Sequence, residues 1–69
     1  MTLIKLTAIE GRAIAIVPSE IMSVEKGDFM EEWDNKYGFR GIPTRVILKL
    51  FNYTVREDFD TVCRLIEGV

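Results

Sequence analysis

The sequence contains no histidine and only one cysteine, Cys63. Without histidine, the chain has no imidazole to serve as a general base, a metal ligand or a pH sensor near neutrality. A single cysteine forms neither an intrachain disulfide nor a cysteine-based zinc cluster, and a lone thiol is typical of a reducing cytosol. We therefore expect a protein that is not an enzyme and that uses no cofactor and no metal.

Long apolar runs and an excess of charge of one sign are also lacking. No stretch approaches the ~20 apolar residues that cross a bilayer, and Lys5 interrupts the apolar start, which is too short for a signal-peptide core. Nine basic and eleven acidic residues give a net charge of −2, far from the basic footprint of a typical nucleic-acid-binding protein. We expect a cytoplasmic protein, or one of the host cytoplasm if it is viral.

The length of the chain limits the core that it can form. Its 69 residues are 48% hydrophobic, which is too apolar for a disordered chain and sufficient for a single domain over residues 1–69. A domain of this size buries only roughly 60% of the surface of its unfolded chain, so a monomer would be marginally stable. For this reason we expect a homodimer or a higher homo-oligomer.

Apolar and polar residues alternate with the two-residue period of a β-strand in several segments. We predict strands over residues 2–8, 12–17, 21–25, 44–50 and 53–56. In the fourth strand, Val46, Leu48 and Leu50 are expected to share one face. Asp58 is a favourable N-cap for a final helix, because its carboxylate can accept a backbone hydrogen bond from the first helical turn.

The predicted final helix has one apolar face and a glycine at its end. The stripe at spacings of three and four residues consists of Phe59, Val62, Cys63 and Ile66, and Gly68 stands at the expected C-cap. Cys63 is expected to act there as a small hydrophobic residue. The predicted fold class is α+β and mainly β: a small antiparallel sheet or partly open barrel, in the order β-β-β-insert-β-β-α, with a C-terminal helix.

Residues 26–43 form an aromatic and acidic insert between the third and fourth strands. Asp28 is predicted to cap a short helix, with Glu31 three residues later in a capping-box relation, and Gly38 to end it. The aromatic stripe of this helix either covers the open end of the sheet or binds a partner, because tryptophan and tyrosine are enriched in binding hot spots. The candidate partner-binding residues are Phe29, Met30, Trp33, Tyr37 and Phe39, together with Phe51 at the predicted turn between the last two strands.

Basic residues suggest a second kind of site. The candidates for contact with an anion or a nucleic acid are Lys5, Arg40, Arg45 and Lys49. If the first and fourth strands are neighbours, Lys5, Arg45 and Lys49 would form a small basic patch. Arg40 and Arg45 could instead line a pocket between subunits, together with Tyr37. The acidic residues of the insert have no metal-ligand spacing and are expected to form a solvated face.

Several short motifs resemble the FlbD/SwrD-type small flagellar protein family. They are Leu3-Ile4-Lys5-Leu6-Thr7, Glu10-Gly11, Ile14-Ala15-Ile16, Pro18-Ser19-Glu20-Ile21 and Tyr53-Thr54-Val55-Arg56-Glu57. Similar short chains occur among phage and prophage proteins, and the element order is similar to that of the carbon storage regulator, a dimeric RNA-binding protein. The insert, where the flagellar family has a short connection, favours a phage-type relative with its own binding loop.

These observations lead to one main interpretation and three alternatives. The main interpretation is a small non-enzymatic binding protein, of phage or prophage type, that modulates a protein partner through its insert. The first alternative is an oligomeric protein that binds a small anion or nucleotide in pockets between subunits. The others are a small RNA- or DNA-binding regulator and, as the family resemblance implies, a flagellar accessory protein.

Overall fold

The computed structural model describes residues 2–68, so Met1 and Val69, the two ends of the predicted domain, lie outside the described residues. The described chain has its strands and helices in the predicted order, and the predicted class, α+β and mainly β with a C-terminal helix, is confirmed. The elements are β1 (Ile4–Thr7), β2 (Ala13–Ile16), a short 3-10 helix (Pro18–Glu20), β3 (Ile21–Lys26), α1 (Glu31–Tyr37), β4 (Thr44–Leu48), β5 (Asn52–Val55) and α2 (Phe59–Glu67).

The strands are antiparallel and are divided between two sheets. One sheet is the β1–β2 hairpin, whose turn includes Gly11 at a φ of 99°, and the other has the order β3-β4-β5. The two sheets meet where Ala8 forms an isolated bridge with Val55. Beside this bridge, the Arg56 N–H donates to the carbonyl oxygen of Thr7 over 2.7 Å. The end of β1 therefore lies next to the end of β5.

The core lies where the inner faces of both sheets meet α2. Its buried cluster consists of Ile4, Leu6 and Ile16 from the first sheet, Val46 and Val55 from the second, and Val62 from α2. Side chains at alternate positions of a strand lie on the same face. The buried residues are therefore two positions apart in β1, at Ile4 and Leu6, and in β4, at Thr44 and Val46. The outer face of the second sheet carries Arg45 and Thr54, which are paired across β4 and β5.

The fourth strand is shorter than predicted, and Leu50 does not lie on its inner face. β4 ends at Leu48, and the Leu48 N–H donates to the carbonyl oxygen of Phe51 over 3.0 Å. Lys49 and Leu50 therefore form a two-residue turn, and Leu50 is 89% exposed at its tip. Neither residue has a positive φ. Because the turn does not require glycine or asparagine, the sequence has no turn signal there, and the alternation of apolar and polar residues continues to residue 50.

The final helix begins and ends as predicted. Asp58 is the N-cap of α2, and its carboxylate accepts the Thr61 N–H over 2.7 Å. Val62 is buried, and the other residues of the apolar stripe are partly buried. Gly68 is the C-cap in a right-handed conformation, with its N–H donated to the carbonyl oxygen of Arg64. Helices α1 and α2, of seven and nine residues, are too short to cross a membrane.

Candidate binding surface on the insert

The helix of the insert begins two residues later than predicted. The N-cap of α1 is Met30, in an extended conformation and with no side-chain cap, so the predicted capping box of Asp28 and Glu31 is wrong. The first turn instead closes on the carbonyl oxygen of Met30, which accepts the Trp33 and Asp34 N–H groups over 3.1 and 3.3 Å. Phe29 and Met30 therefore precede the helix and do not line its face.

The base of the insert is closed by a close contact between its two ends. The Gly27 N–H donates to the carbonyl oxygen of Pro43 over 2.9 Å. A Cβ atom at Gly27 would lie 3.0 Å from this oxygen, so the approach requires a residue without a side chain. Residues 28–30 lead from this contact into α1, whose N-cap Met30 is in an extended conformation.

The C-terminal end of α1 turns the chain back into the core. Gly38 ends the helix as predicted, in the left-handed conformation with a φ of 69°, and its N–H donates to the carbonyl oxygen of Asp34 over 2.9 Å. The next residue, Phe39, is only 9% exposed. Phe39 is one of the predicted partner-binding residues, but in this position it anchors the insert and is not part of an accessible surface.

Arg56 fixes the insert to the rest of the protein. Its Nε donates to the carbonyl oxygen of Ile9 over 2.8 Å, and its Nη2 donates to that of Tyr37 over 3.2 Å. The guanidinium carbon also lies 5.6 Å from the centre of the Phe39 ring, within the range of a cation–π contact. One side chain thus joins the β1–β2 turn, the end of α1 and the buried aromatic ring.

Three predicted residues remain as a surface on this anchored insert, and we call Phe29, Met30 and Trp33 the insert surface. Phe29 is 46% and Met30 is 37% exposed, whereas Trp33 is partly buried. Met30 and Trp33 line a groove of about 360 Å³ that reaches the outer face of the second sheet at Arg45 and Thr54. The stripe was predicted either to cover the sheet or to bind a partner. Trp33 lies in the groove beside the second sheet, whereas Phe29 and Met30 are exposed to solvent.

Two other predicted contact residues are not part of this surface. Tyr37 is partly buried at the end of α1, with the Lys36 ammonium 5.3 Å from the centre of its ring. Phe51 lies at the β4–β5 turn, where its ring makes an edge-to-face contact with Tyr53 at 5.1 Å. The insert joins the opposite end of this hairpin, beside Thr44, so Phe51 belongs to a separate region.

The predicted basic patch does not form. β1 pairs with β2, whereas β4 pairs with β3 and β5, so Lys5 and Arg45 are not on neighbouring strands. Arg45 lies 3.5 Å from the carboxylate of Glu25 on β3. Lys49 is in the β4–β5 turn. The four basic candidates thus lie in separate places.

Arg40 is also occupied by a carboxylate, since its Nε lies 3.1 Å from Asp34 at the side of α1. In residues 2–68 there is no group of three or more acidic or cysteine side chains with the geometry to hold a metal ion. Within the same residues, every buried side-chain nitrogen or oxygen has a hydrogen-bond partner. Cys63 is a free thiol, partly buried on α2.

Sequence reasoning did not identify three residues that the structure makes prominent. Leu50 is the most exposed large apolar residue of the described chain, and it shares a shallow groove at the β4–β5 turn with Leu48 and Phe51. Arg56 and Glu57 join distant segments by hydrogen bonds. No local signal marks these roles, because each depends on which segments meet in space.

The whole chain matches no protein-family model, no curated protein and no solved structure. The resemblance to small flagellar proteins therefore stays a prediction.

Proposed function

We propose that this protein is a small, non-enzymatic binding protein of phage or prophage type that modulates a protein partner through its insert surface. The single observation that carries this proposal is the exposure of Phe29 and Met30 on a segment that is fixed at both ends. Adjacent large apolar residues that remain exposed on an ordered segment mark an interaction site more often than isolated ones do. The lone thiol Cys63 supports a cytoplasmic location.

The anchoring of the insert supports a binding role because it lowers the entropic cost of association. The Gly27–Pro43 hydrogen bond closes the base of the insert, and Arg56 holds the end of α1 at Tyr37. A loop that is already held in its bound shape loses little conformational freedom on binding. Phe29 and Met30 can therefore contribute their apolar area to a partner with little reorganisation.

The charges around the insert surface indicate the chemistry of the partner. Asp28, Glu31 and Glu32 are exposed and flank Phe29 and Met30 on both sides. An apolar centre with an acidic rim is complementary to a protein surface that has an apolar pocket and a basic rim. We therefore expect salt to slow association with the partner, since rim charges act mainly on the rate of encounter.

A comparison of two variants tests this proposal. Wild-type protein, the Phe29→Ser/Met30→Ser variant and the Leu50→Ser variant are immobilised and exposed to a lysate of the source organism. A retained protein is identified by mass spectrometry, purified and titrated calorimetrically. Leu50→Ser is the matched control, because it removes an exposed apolar side chain from the opposite end of the β4–β5 hairpin.

We expect one partner that binds wild type and Leu50→Ser equally and binds the double variant at least about tenfold more weakly. Equal binding to all three proteins, loss of binding only with Leu50→Ser, or no retained protein would contradict the proposal. Circular dichroism establishes that the variants are folded. The anion-binding and nucleic-acid-binding alternatives have less support, because Arg40 and Arg45 already contact carboxylates.

A further inference from the structure

A second groove lies at the far end of α2 and is distinct from the insert surface. We call it the basic groove. It has a volume of about 360 Å³ and lies between the start of β1 and the last turn of α2. Its main lining residues are Leu3, Ile4, Lys5, Arg64 and Leu65. Leu3 and Leu65 are exposed although they are large apolar residues, so this part of the surface is a candidate for contact with another molecule.

The charged residues of the basic groove have one sign. Lys5 and Arg64 are the charged residues that line it. The ion pairs described within residues 2–68 join Arg12 to Glu10, Arg40 to Asp34 and Arg45 to Glu25, and they involve neither Lys5 nor Arg64. The Nη2 of Arg64 donates to the hydroxyl of Thr61 over 3.4 Å, and its charge also acts on the Asp58 carboxylate. A groove with apolar walls and two cations is complementary to an apolar segment that carries carboxylates.

Such a segment is present in the same chain, at residues 28–32. Its sequence is Asp-Phe-Met-Glu-Glu, and all five residues are exposed. Its three carboxylates are absent from the ion pairs described for residues 2–68. The segment therefore presents two apolar side chains between acidic ones, as the basic groove requires.

The segment cannot reach the basic groove of its own chain. The groove is beside Arg64 and Gly68, at the C-terminal end of α2, whereas the end of the insert lies beside Phe59 and Asp60 at the N-terminal end. A helix of nine residues separates the two ends by about 14 Å. Because Arg56 and the Gly27–Pro43 hydrogen bond hold the insert in place, a contact requires a second molecule.

We propose that segment 28–32 of one copy docks into the basic groove of a second copy. The molecule is elongated, with extents of 36 × 20 × 19 Å. In the proposed dimer, two copies lie side by side in opposite directions, with each segment in the other copy's groove. The contact is then made twice about a two-fold axis and closes as a dimer, which also covers Leu3 and Leu65.

This inference does not depend on the proposed function, because its test uses the purified protein alone. It has one consequence for that function. The second copy and the protein partner both contact Phe29 and Met30, so dimerisation and partner binding exclude each other at each insert.

Charge reversal provides the test, with oligomeric state measured by sedimentation velocity. The first variant is Lys5→Glu/Arg64→Glu and the second is Glu31→Lys/Glu32→Lys. Lys49→Glu is the control, since it reverses an exposed charge at the β4–β5 turn, outside both surfaces. All five positions are exposed, and circular dichroism compares the folding of each variant with that of wild type.

We expect wild type and Lys49→Glu to be dimers that dissociate in about 0.5 M salt, where charges are screened within a few ångströms. Each reversal variant alone should have a dimer dissociation constant raised at least about tenfold, because both of its contacts join like charges. An equimolar mixture of the two variants should form a dimer again, since one contact is then native and the other is reversed on both sides.

Three results would overturn the proposal. One is a wild-type monomer at concentrations up to about 100 μM, where a specific dimer of useful affinity is populated. Another is an oligomer that both reversal variants form as well as wild type does. The third is failure of the mixed variants to associate when each is folded and monomeric alone.

Discussion

Both carboxylate oxygens of Glu57 accept hydrogen bonds from Thr7. The Thr7 N–H lies 2.9 Å from Oε1, and the Thr7 hydroxyl lies 3.0 Å from Oε2. The carbonyl oxygen of Glu57 accepts a third bond, from the buried hydroxyl of Thr44 over 2.7 Å. One residue between β5 and α2 therefore holds the end of β1 and the start of β4, which are separated in the sequence by about half of the chain.

Removal of the Glu57 carboxylate should destabilise the junction of the two sheets. Glu57→Ala is expected to lower the free energy of unfolding by about 2 kcal/mol, because the Thr7 groups lose charged acceptors in a partly buried place. Thr7→Val should cost about 1 kcal/mol in the wild type and much less in the Glu57→Ala background. Urea unfolding of the four proteins measures this coupling. Equal effects of Thr7→Val in both backgrounds would show that the two side chains act independently.

The hydrogen bonds of Arg56 lead to a second prediction. Arg56→Lys should lower the free energy of unfolding by about 2 kcal/mol, because an ammonium group lacks the planar fork that reaches two separate carbonyl oxygens. It should also loosen the insert. Trp33 is the single tryptophan of the chain, so quenching of its fluorescence by acrylamide reports on the insert alone.

We expect greater quenching in Arg56→Lys at concentrations of denaturant too low to unfold the sheets. Arg12→Lys is the control, because Arg12 pairs with Glu10 on the exposed surface, where such pairs contribute little. If Arg56→Lys had the same quenching and the same stability as wild type, the insert would be held by its aromatic contacts and by the Gly27–Pro43 hydrogen bond.

Local patterns in the sequence were sufficient to predict the elements of this fold but not their pairing. Strand alternation, the Asp58 cap and the Gly38 helix end are features of a few adjacent residues, and the structure confirms them. The division into two sheets depends on contacts such as the Ala8–Val55 bridge, which no local pattern encodes. Strand alternation predicts Leu50 on the inner face of β4, but Leu50 lies in the turn, which has no positive φ and no marker residue.

The candidate site was predictable to a similar extent. The insert was recognisable by its length and its aromatic content, which are properties of the sequence alone. Whether each aromatic residue is buried depends on distant partners. Phe39 is buried with the Arg56 guanidinium 5.6 Å from the centre of its ring, and Phe29 is exposed between the Gly27–Pro43 contact and the start of α1. The basic groove was not predictable, since β1 and α2 contribute to it from opposite ends of the chain.

The left-handed conformation of Gly38 leads to a third prediction. A Cβ atom at Gly38 would meet nothing within 4 Å, so Gly38→Ala introduces backbone strain without a steric clash. We expect a loss of about 1 kcal/mol in the free energy of unfolding, and a smaller loss for Gly38→Asn, because asparagine tolerates a positive φ better. Thermal unfolding measures both. If Gly38→Ala were as stable as wild type, the end of α1 would have to adopt a different conformation.

The cap of α2 makes stability depend on acid. The hydroxyl and the backbone N–H of Thr61, aided by the charge of Arg64, lower the pKa of the Asp58 carboxyl from its usual value of 3.8. Because the pKa is lower in the folded state, the carboxylate stabilises the protein fully above the unfolded value and loses this effect as the pH falls through the folded value. Asp58→Asn keeps a good N-cap that does not titrate. We therefore expect the fall in melting temperature between about pH 6 and pH 3 to be smaller in Asp58→Asn than in wild type.

Asp58→Ala, which loses the cap altogether, should melt at a lower temperature than Asp58→Asn at both pH values. Identical acid profiles of wild type and Asp58→Asn would show that the charge of the cap makes no contribution to folding.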